Sequence, residues 1–372
     1  MAKIVQVIES FAYGSAKSVK QLCTQLKREH DVTVFYGMRD GTETELRDLD
    51  PEIRWIALPG RGSLRHLQNL VYLARHVDAD TDFIHGHSTF GGMYVKLVGA
   101  LFGRATVFYS PRGYSFLRED YSHLKRKVFW WVERLTSRRC ETITCGPSEQ
   151  RLASQLRSRN RNINNGVKIP AEVDVESVGD EILSVGRVSI QKGFDIFKQI
   201  AASLPECRFV WMGSAEPADK HLLDDLPNNV TMVDYQPHDV TMERIRRARF
   251  VLLPSRWEGL SRVLLESIGF GRAIVTSHCE ANVDCLAGPV QGATSRDAFE
   301  FDNGYACSHL EDYVAAITQL CSDPQLLRAK QAASLLHARR NFDMELIRRQ
   351  WKDLYQLPSQ SLSPALAPRL TT

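Results

Sequence analysis

No apolar run in the 372-residue sequence approaches the roughly 18 residues that a membrane-spanning helix requires. Residues 1–10 read as a strand, too short for the apolar core of a signal peptide, so the chain is expected in the cytosol. CxxC pairs and zinc-ligand rhythm are both missing among the eight cysteines, at 23, 140, 145, 207, 279, 285, 307 and 321, which leaves reduced, buried thiols as the expectation. There is no GxGxxG signature. Nor is there a Walker loop, because Phe11 and Ala16 stand where that pattern requires glycine. A recognition helix, an RNP-like aromatic strand and a zinc finger are also lacking, which argues against nucleic acid as a partner.

What is present is ordinary globular usage, 43% hydrophobic, 24% charged and 9% aromatic, which excludes disorder, collagen and coiled coil as the main architecture. The length suits two domains, each with its own core. The net charge of +3 hides an asymmetry. Residues 1–170 carry 26 Lys and Arg against 17 Asp and Glu, leaving +9, and residues 171–372 carry 21 against 27, leaving −6. A basic first half points to an anionic partner there: a membrane surface, phosphate or nucleic acid.

Strand-like β-branched runs alternate with helical periods. Strands are predicted at 3–8, 31–36, 53–58, 83–86, 105–109 and 142–145, with helices at 64–77, 93–101 and 122–138 between them. The pattern weakens into a polar stretch at 157–179 and resumes with strands at 181–185, 208–212, 230–233, 250–253 and 273–276. Helices are read at 194–203, 242–248, after Arg262, and at 311–321, 324–341 and 343–357. Such alternation implies an α/β fold of two mainly parallel, Rossmann-like sheets, 1–165 and 166–342, facing a central crevice. Segment 343–357 is a closing helix, and 358–372 reads as a disordered tail. Ligands in open α/β sheets bind beyond the carboxyl ends of the strands, so the loops after strands matter most.

Three such loops stand out. In 252–267, Glu258 and Glu266 lie eight residues apart, Gly259 lets a ligand approach the backbone, and amides near Ser261, Arg262 and Val263 form a helix N-terminus suited to phosphate. The plain alternative is two solvated glutamates. In 182–194, Arg187 and Lys192 flank one crevice edge and together can neutralise a diphosphate without a metal; singly, each would be a surface cation. The small-residue turn at 9–18, with Gly14 and Ser15, either admits a ligand or is an ordinary βα turn.

Gly186-Arg187 with Lys192-Gly193, Asn165-Gly166-Val167, Pro254-Ser255 and Glu258-Gly259 with Glu266 together resemble the retaining GT-B glycosyltransferases of the group 1 type, family 4, over residues 3–357. Val7–Phe11, His87-Ser88 and Pro111–Phe116 are similar to the O-antigen and capsule transferases within it. The resemblance implies an N-terminal acceptor domain and a C-terminal nucleotide-sugar domain. It implies that Arg187 and Lys192 hold the donor diphosphate, that Glu266 accepts the ribose hydroxyls, and that Glu258 with Gly259, Leu260 and the amides of Ser261, Arg262 and Val263 positions sugar and phosphate. Gly14, Ser15, Gly186 and Gly213 would line the donor site. Relatives commonly carry a His where this chain has Arg112, which cannot act as a base at neutral pH but can bind hydroxyls or phosphate. His87, Arg112 and Tyr114 are the acceptor-side candidates.

The expected substrate is a nucleoside diphosphate sugar, UDP-linked first and GDP-linked second, with no resident cofactor or metal, and the expected acceptor is a glycan or a lipid-diphosphate-linked saccharide. Two other readings share the crevice: a nucleotide-sugar epimerase or hydrolase, and a donor-binding homologue without turnover. His85, His87 and His123 lack a third ligand for a metal site. Asp48-Leu-Asp50 spells an acidic triplet of another transferase class but sits in a polar stretch, as surface charge does. In 121–139, Leu124, Val128, Trp131, Val132 and Leu135 form one stripe among basic residues. This stripe either covers its own sheet or lies on anionic lipid at the inner face of the plasma membrane.

Overall fold

A computed structural model describes residues 1–39, 41–101, 105–175, 178–288 and 299–356; the predicted tail at 358–372 lies outside them. Seven strands form the first sheet: β1 (Lys3–Ile8), β2 (Asp31–Tyr36), β3 (Arg54–Ala57), β4 (Phe83–His87), β5 (Thr106–Ser110), β6 (Glu141–Thr144) and β7 (Arg159–Asn162). All pair in parallel, in the order β3-β2-β1-β4-β5-β6-β7. A second sheet repeats the plan with β8 (Glu181–Val185), β9 (Arg208–Met212), β10 (Val230–Val233), β11 (Phe250–Leu253), β12 (Ile274–Ser277), β13 (Glu300–Phe301) and β14 (Gly304–Cys307). Its order is β10-β9-β8-β11-β12-β14-β13, parallel except for the β13–β14 pair. The strand order reverses between β1 and β4 and again between β8 and β11. Crevices therefore open beyond the carboxyl ends of those strands.

The sequence places most of these strands because both faces of a parallel sheet are buried, so each strand reads as a continuous apolar run. Ile8, Phe11, Val19, Leu22 and Cys23 bury the first helix, α1 (Tyr13–Leu26), against one face of the first sheet. On the other face pack α2 (Arg65–His76), α3 (Ser88–Val98) and α4 (His123–Thr136). The second sheet buries Phe194, Phe197, Trp211, Leu252 and Tyr305 in its own core.

Several elements depart from the sequence reading. α3 begins at Ser88, not 93, and a helix α5 (Pro147–Gln155) occupies a stretch without an expectation. β7 (Arg-Asn-Arg-Asn) lies inside the expected linker; as an edge strand it needs little apolar content. The stripe Leu124, Val128, Trp131, Val132 and Leu135 does not cover the sheet. Leu124 and Leu135 are 74% and 75% exposed, whereas the off-stripe Phe129 and Trp130 pack inward. No helix among the described residues is long and apolar enough to cross a membrane.

In the C-terminal sheet, α6 (Phe194–Ser203) follows the β8 loop, α7 (His238–Arg247) precedes β11, and α8 (Arg262–Gly269) follows β11. After α9 (Leu310–Ser322) and α10 (Pro324–Asn341), the last helix α11 (Met344–Gln356) returns to the first sheet, where Ile347, Trp351, Leu354 and Tyr355 join its core.

Candidate active site

The loops after β1, β5, β8, β9 and β11 meet around a cleft of about 400 Å³. Its lining takes in Gly14, Ser15, Arg112, Gly186, Arg187, Lys192, Gly213, Glu258, Gly259, Leu260, Ser261, Arg262, Val263 and Glu266, residues that the sequence singles out from five separate loops. Six cations line the cleft (Lys17, Arg39, Arg112, Arg187, Lys192 and Arg262) against three carboxylates (Glu45, Glu258 and Glu266). The surplus of positive charge suits a polyanion.

Each cation on the C-terminal wall has a carboxylate beside it. Lys192 Nζ lies 2.6 Å from Glu258 Oε1, and Arg262 Nη2 lies 3.2 Å from Glu266 Oε1. Arg187 Nη1 is paired with Glu216, a residue the sequence reading misses because it lies just ahead of a short 3₁₀ turn with no motif around it. The Arg187 guanidinium also lies 5.1 Å from the Tyr13 ring centroid, and Tyr13 Oη is 3.4 Å from the same Glu216 oxygen. Tyr13 belongs to the first domain and adopts a left-handed φ of +52°, a conformation that a bulky residue holds only under the constraint of its surroundings.

α8 starts at the cleft. Its first intrahelical bond runs from the Leu265 amide to the Ser261 carbonyl, so the amides of Arg262, Val263 and Leu264 have no acceptor within the helix. The Ser261 hydroxyl is buried without a hydrogen-bond partner among the described residues. A helix start with free amides and a net positive end is an anion site.

The domains touch at two glycines. A Cβ on Gly259 would stand 2.9 Å from the Arg112 carbonyl carbon, and one on Gly113, whose φ is +95°, would stand 3.3 Å from the Gly259 nitrogen. Arg112 itself has a left-handed φ of +54°. Its turn is pinned by Glu149, which accepts the amides of Gly113 (2.7 Å) and Cys145 (2.9 Å). Burial raises the Glu149 pKa even though both amides and Arg112 act the other way.

Two acceptor-side candidates are corrected by these positions. Tyr114 is 2% exposed and stacks on Phe116 in the core, with ring centroids 4.9 Å apart, because the turn after Arg112 folds it under the sheet. His87 is fully buried and outside the cleft lining, and its Nδ1 accepts from Arg112 Nε at 3.2 Å. His85 lies beside it, equally buried. His123 opens α4 on the exposed surface. Asp50 pairs with Lys27 at 2.6 Å, away from the cleft. None of the eight cysteines forms a disulfide; five are buried as expected, whereas Cys207, Cys279 and Cys321 are half-buried, with Cys207 Sγ 3.9 Å from Cys321 Sγ.

Comparison with known proteins adds the family. Residues 13–164 match the glycosyl transferase 4-like domain and residues 179–323 match glycosyl transferases group 1. The chain is 24% identical over 229 residues to an uncharacterized glycosyltransferase of Haemophilus influenzae; the match covers 58% of this chain and spans only 61% of that protein. Among solved structures, HepE of Anabaena in complex with UDP is similar with a TM-score of 0.77 at 16% identity, over 95% of this chain and 99% of that one. WaaG, a glycosyltransferase involved in lipopolysaccharide biosynthesis, gives 0.70 at 15% identity over 95% and 100%. These likenesses establish the GT-B fold of two facing Rossmann-like domains. With both halves matched, the chain belongs to the glycosyltransferases, a 4-like N-terminal domain joined to a group 1 C-terminal domain.

Proposed function

We propose that the protein moves a hexosyl unit from a nucleoside diphosphate sugar to a hydroxyl of a lipid-linked or other glycan acceptor in surface-polysaccharide synthesis, with retention at the anomeric carbon. The observation that carries this reading is the convergence of Arg187, Lys192, Arg262 and the free amides of α8 on one wall of a positively charged cleft. A leaving diphosphate gains negative charge as its bond to the sugar breaks, and preorganised donors aimed at that charge lower the barrier. Arg187 and Lys192 exchange their carboxylate partners for phosphate oxygens. Glu266 then accepts the ribose hydroxyls and Glu258 the sugar hydroxyls.

Retention proceeds by attack on the face the diphosphate leaves. The acceptor oxygen bonds to the anomeric carbon, the carbon–phosphate oxygen bond breaks, and the acceptor proton passes to the departing phosphate oxygen. Arg112, a donor-only side chain at the domain contact, binds sugar hydroxyls or phosphate rather than removing a proton. UDP is the preferred nucleotide because HepE, a structural relative, binds it, with GDP second. WaaG, with its part in lipopolysaccharide synthesis, supports the acceptor class.

A lipid-linked acceptor also suits the outward face of α4. Leu124, Val128, Trp131 and Leu135 are exposed there beside exposed Lys125, Lys127, Arg138 and Arg139, which is the chemistry of a helix lying on anionic lipid. The test is to follow nucleotide release from a panel of UDP- and GDP-sugars with a lipid-diphosphate saccharide, with and without EDTA, and to assign the product anomer by proton NMR. Retained configuration and turnover in EDTA are expected. An inverted product, or free sugar released at the same rate without acceptor, would overturn the reading.

A further inference from the structure

A buried line of side chains connects the last helix to the cleft. Arg112 Nε donates to His87 Nδ1 (3.2 Å), and His87 Nε2 meets Gln6 Oε1 (2.7 Å). Gln6 Nε2 donates to Tyr355 Oη (3.0 Å), and Tyr355 Oη meets His85 Nδ1 (2.8 Å). His85 Nε2 meets Ser110 Oγ (2.9 Å), which donates to the Ile143 carbonyl (2.8 Å). Between the two ends, Gln6, His85, His87, Ser110 and Tyr355 are all at most 3% exposed.

The ends decide the direction of every bond. A guanidinium only donates and a carbonyl only accepts. His87 must therefore present a bare Nδ1 to Arg112 and its proton on Nε2 to Gln6. Gln6 then donates its amide to Tyr355, whose hydroxyl proton goes to a bare His85 Nδ1, and His85 gives its Nε2 proton to Ser110. One arrangement satisfies all six contacts. Since neither end can reverse its role, the line carries no proton; it fixes tautomers.

We infer that Tyr355 and His85 are positioning residues for the transfer reaction, holding the Gln6 amide and through it the His87 ring on which the Arg112 guanidinium rests at the domain contact. Arg112 Nη1 reaches Asn165 Oδ1 at 3.3 Å, and Asn165 Nδ2 reaches the Leu260 carbonyl at 3.4 Å, so the same side chain links the line to the loop bearing Glu258. Its Nη2 has no hydrogen-bond partner among the described residues, and Arg112 lines the cleft. The helix that crosses from the C-terminal domain thus supplies, through Tyr355, a hydroxyl on which the geometry of the opposite wall depends. The inference rests on the proposed contact between Arg112 and substrate.

Tyr355→Phe removes only that hydroxyl, and Ser110→Ala removes the acceptor at the far end, so the second decides the matter if the first fails to fold. In ¹⁵N-resolved spectra His87 should show a protonated Nε2 and a bare Nδ1 in wild type and variants alike, because Arg112 only donates, and each variant should move the His87 Nε2 resonance as its bond to Gln6 loosens. Turnover in both should fall about tenfold or more while UDP affinity stays within about twofold. Turnover within twofold of wild type would overturn the inference, as would a loss of turnover with the His87 Nε2 resonance unmoved. Arg112→Ala separates the two claims: full turnover in that variant defeats the reading of Arg112 itself, whereas a disabled Arg112→Ala beside an unimpaired Tyr355→Phe defeats only the line behind it.

Discussion

Lys192 Nζ and Glu258 Oε1 lie 2.6 Å apart and tie together two loops separated by 66 residues of sequence. One loop follows β8 and the other follows β11, on either side of the point where the strand order reverses. The pair holds the cleft wall in shape, and it places a cation and a hydroxyl acceptor within one substrate's reach. Lys192→Ala should lower turnover about 10²-fold, as removal of one preorganised donor does. Steady-state kinetics with the preferred sugar nucleotide checks this; turnover within a few-fold of wild type would remove Lys192 from the reaction.

Glu216 holds the guanidinium of Arg187, so on the proposed reading it competes with the donor diphosphate. Their ion pair is partly exposed, with 30% and 35% of the two side chains open to solvent, and pairs of that kind contribute on the order of 1 kcal/mol or less. Glu216→Gln should therefore tighten UDP binding about two- to fivefold, read by calorimetry. Weaker binding would mean that Glu216 orients Arg187 for the ligand rather than competing with it.

Acid should destabilise the first domain through its buried histidines. Burial holds both His85 and His87 well below the ordinary value of 6.5, and Arg112 pushes them the same way. Both stay neutral in the fold and take up protons in the unfolded chain. Their contribution to stability is thus complete above about pH 6.5 and is lost as pH falls below it, by about 1.4 kcal/mol per pH unit for each. Glu149, raised by burial, acts in the opposite sense, so the comparison must isolate one histidine. His87→Gln should flatten the pH dependence of denaturant unfolding between pH 5 and 6.5 by about that slope. An unchanged slope would contradict the buried neutral state.

The exposed stripe on α4 should direct the protein to acidic bilayers. Co-sedimentation with phosphatidylglycerol vesicles should exceed that with phosphatidylcholine, weaken with salt, and fall about tenfold or more in Trp131→Glu/Leu135→Glu, since each apolar group loses its burial and meets like charge. Equal partitioning of wild type and variant would leave the stripe without this role.

The sequence makes the double α/β plan legible because buried parallel strands read as apolar runs and the ligand loops must follow them. The cleft residues from Arg187 to Glu266 were readable for the same reason. What escapes is long-range or ambiguous. Nothing in sequence pairs Gln6 with Tyr355, 349 residues away. Tyr114 beside Arg112 looks like a cleft residue until the turn folds it inward. β7 is polar because an edge strand has only one paired neighbour. On α4 both a periodic stripe and an aromatic pair offer themselves to the sheet, and the bulkier Phe129 and Trp130 take the inward side.

The most direct test is calorimetric titration of UDP into the wild type, Arg187→Ala, Lys192→Ala and the double variant. Charge-assisted hydrogen bonds contribute about 1.5–3 kcal/mol each, so each single variant should bind more than tenfold more weakly and the double variant more weakly still. Unchanged affinity in the double variant would contradict a diphosphate cradle at this wall of the cleft.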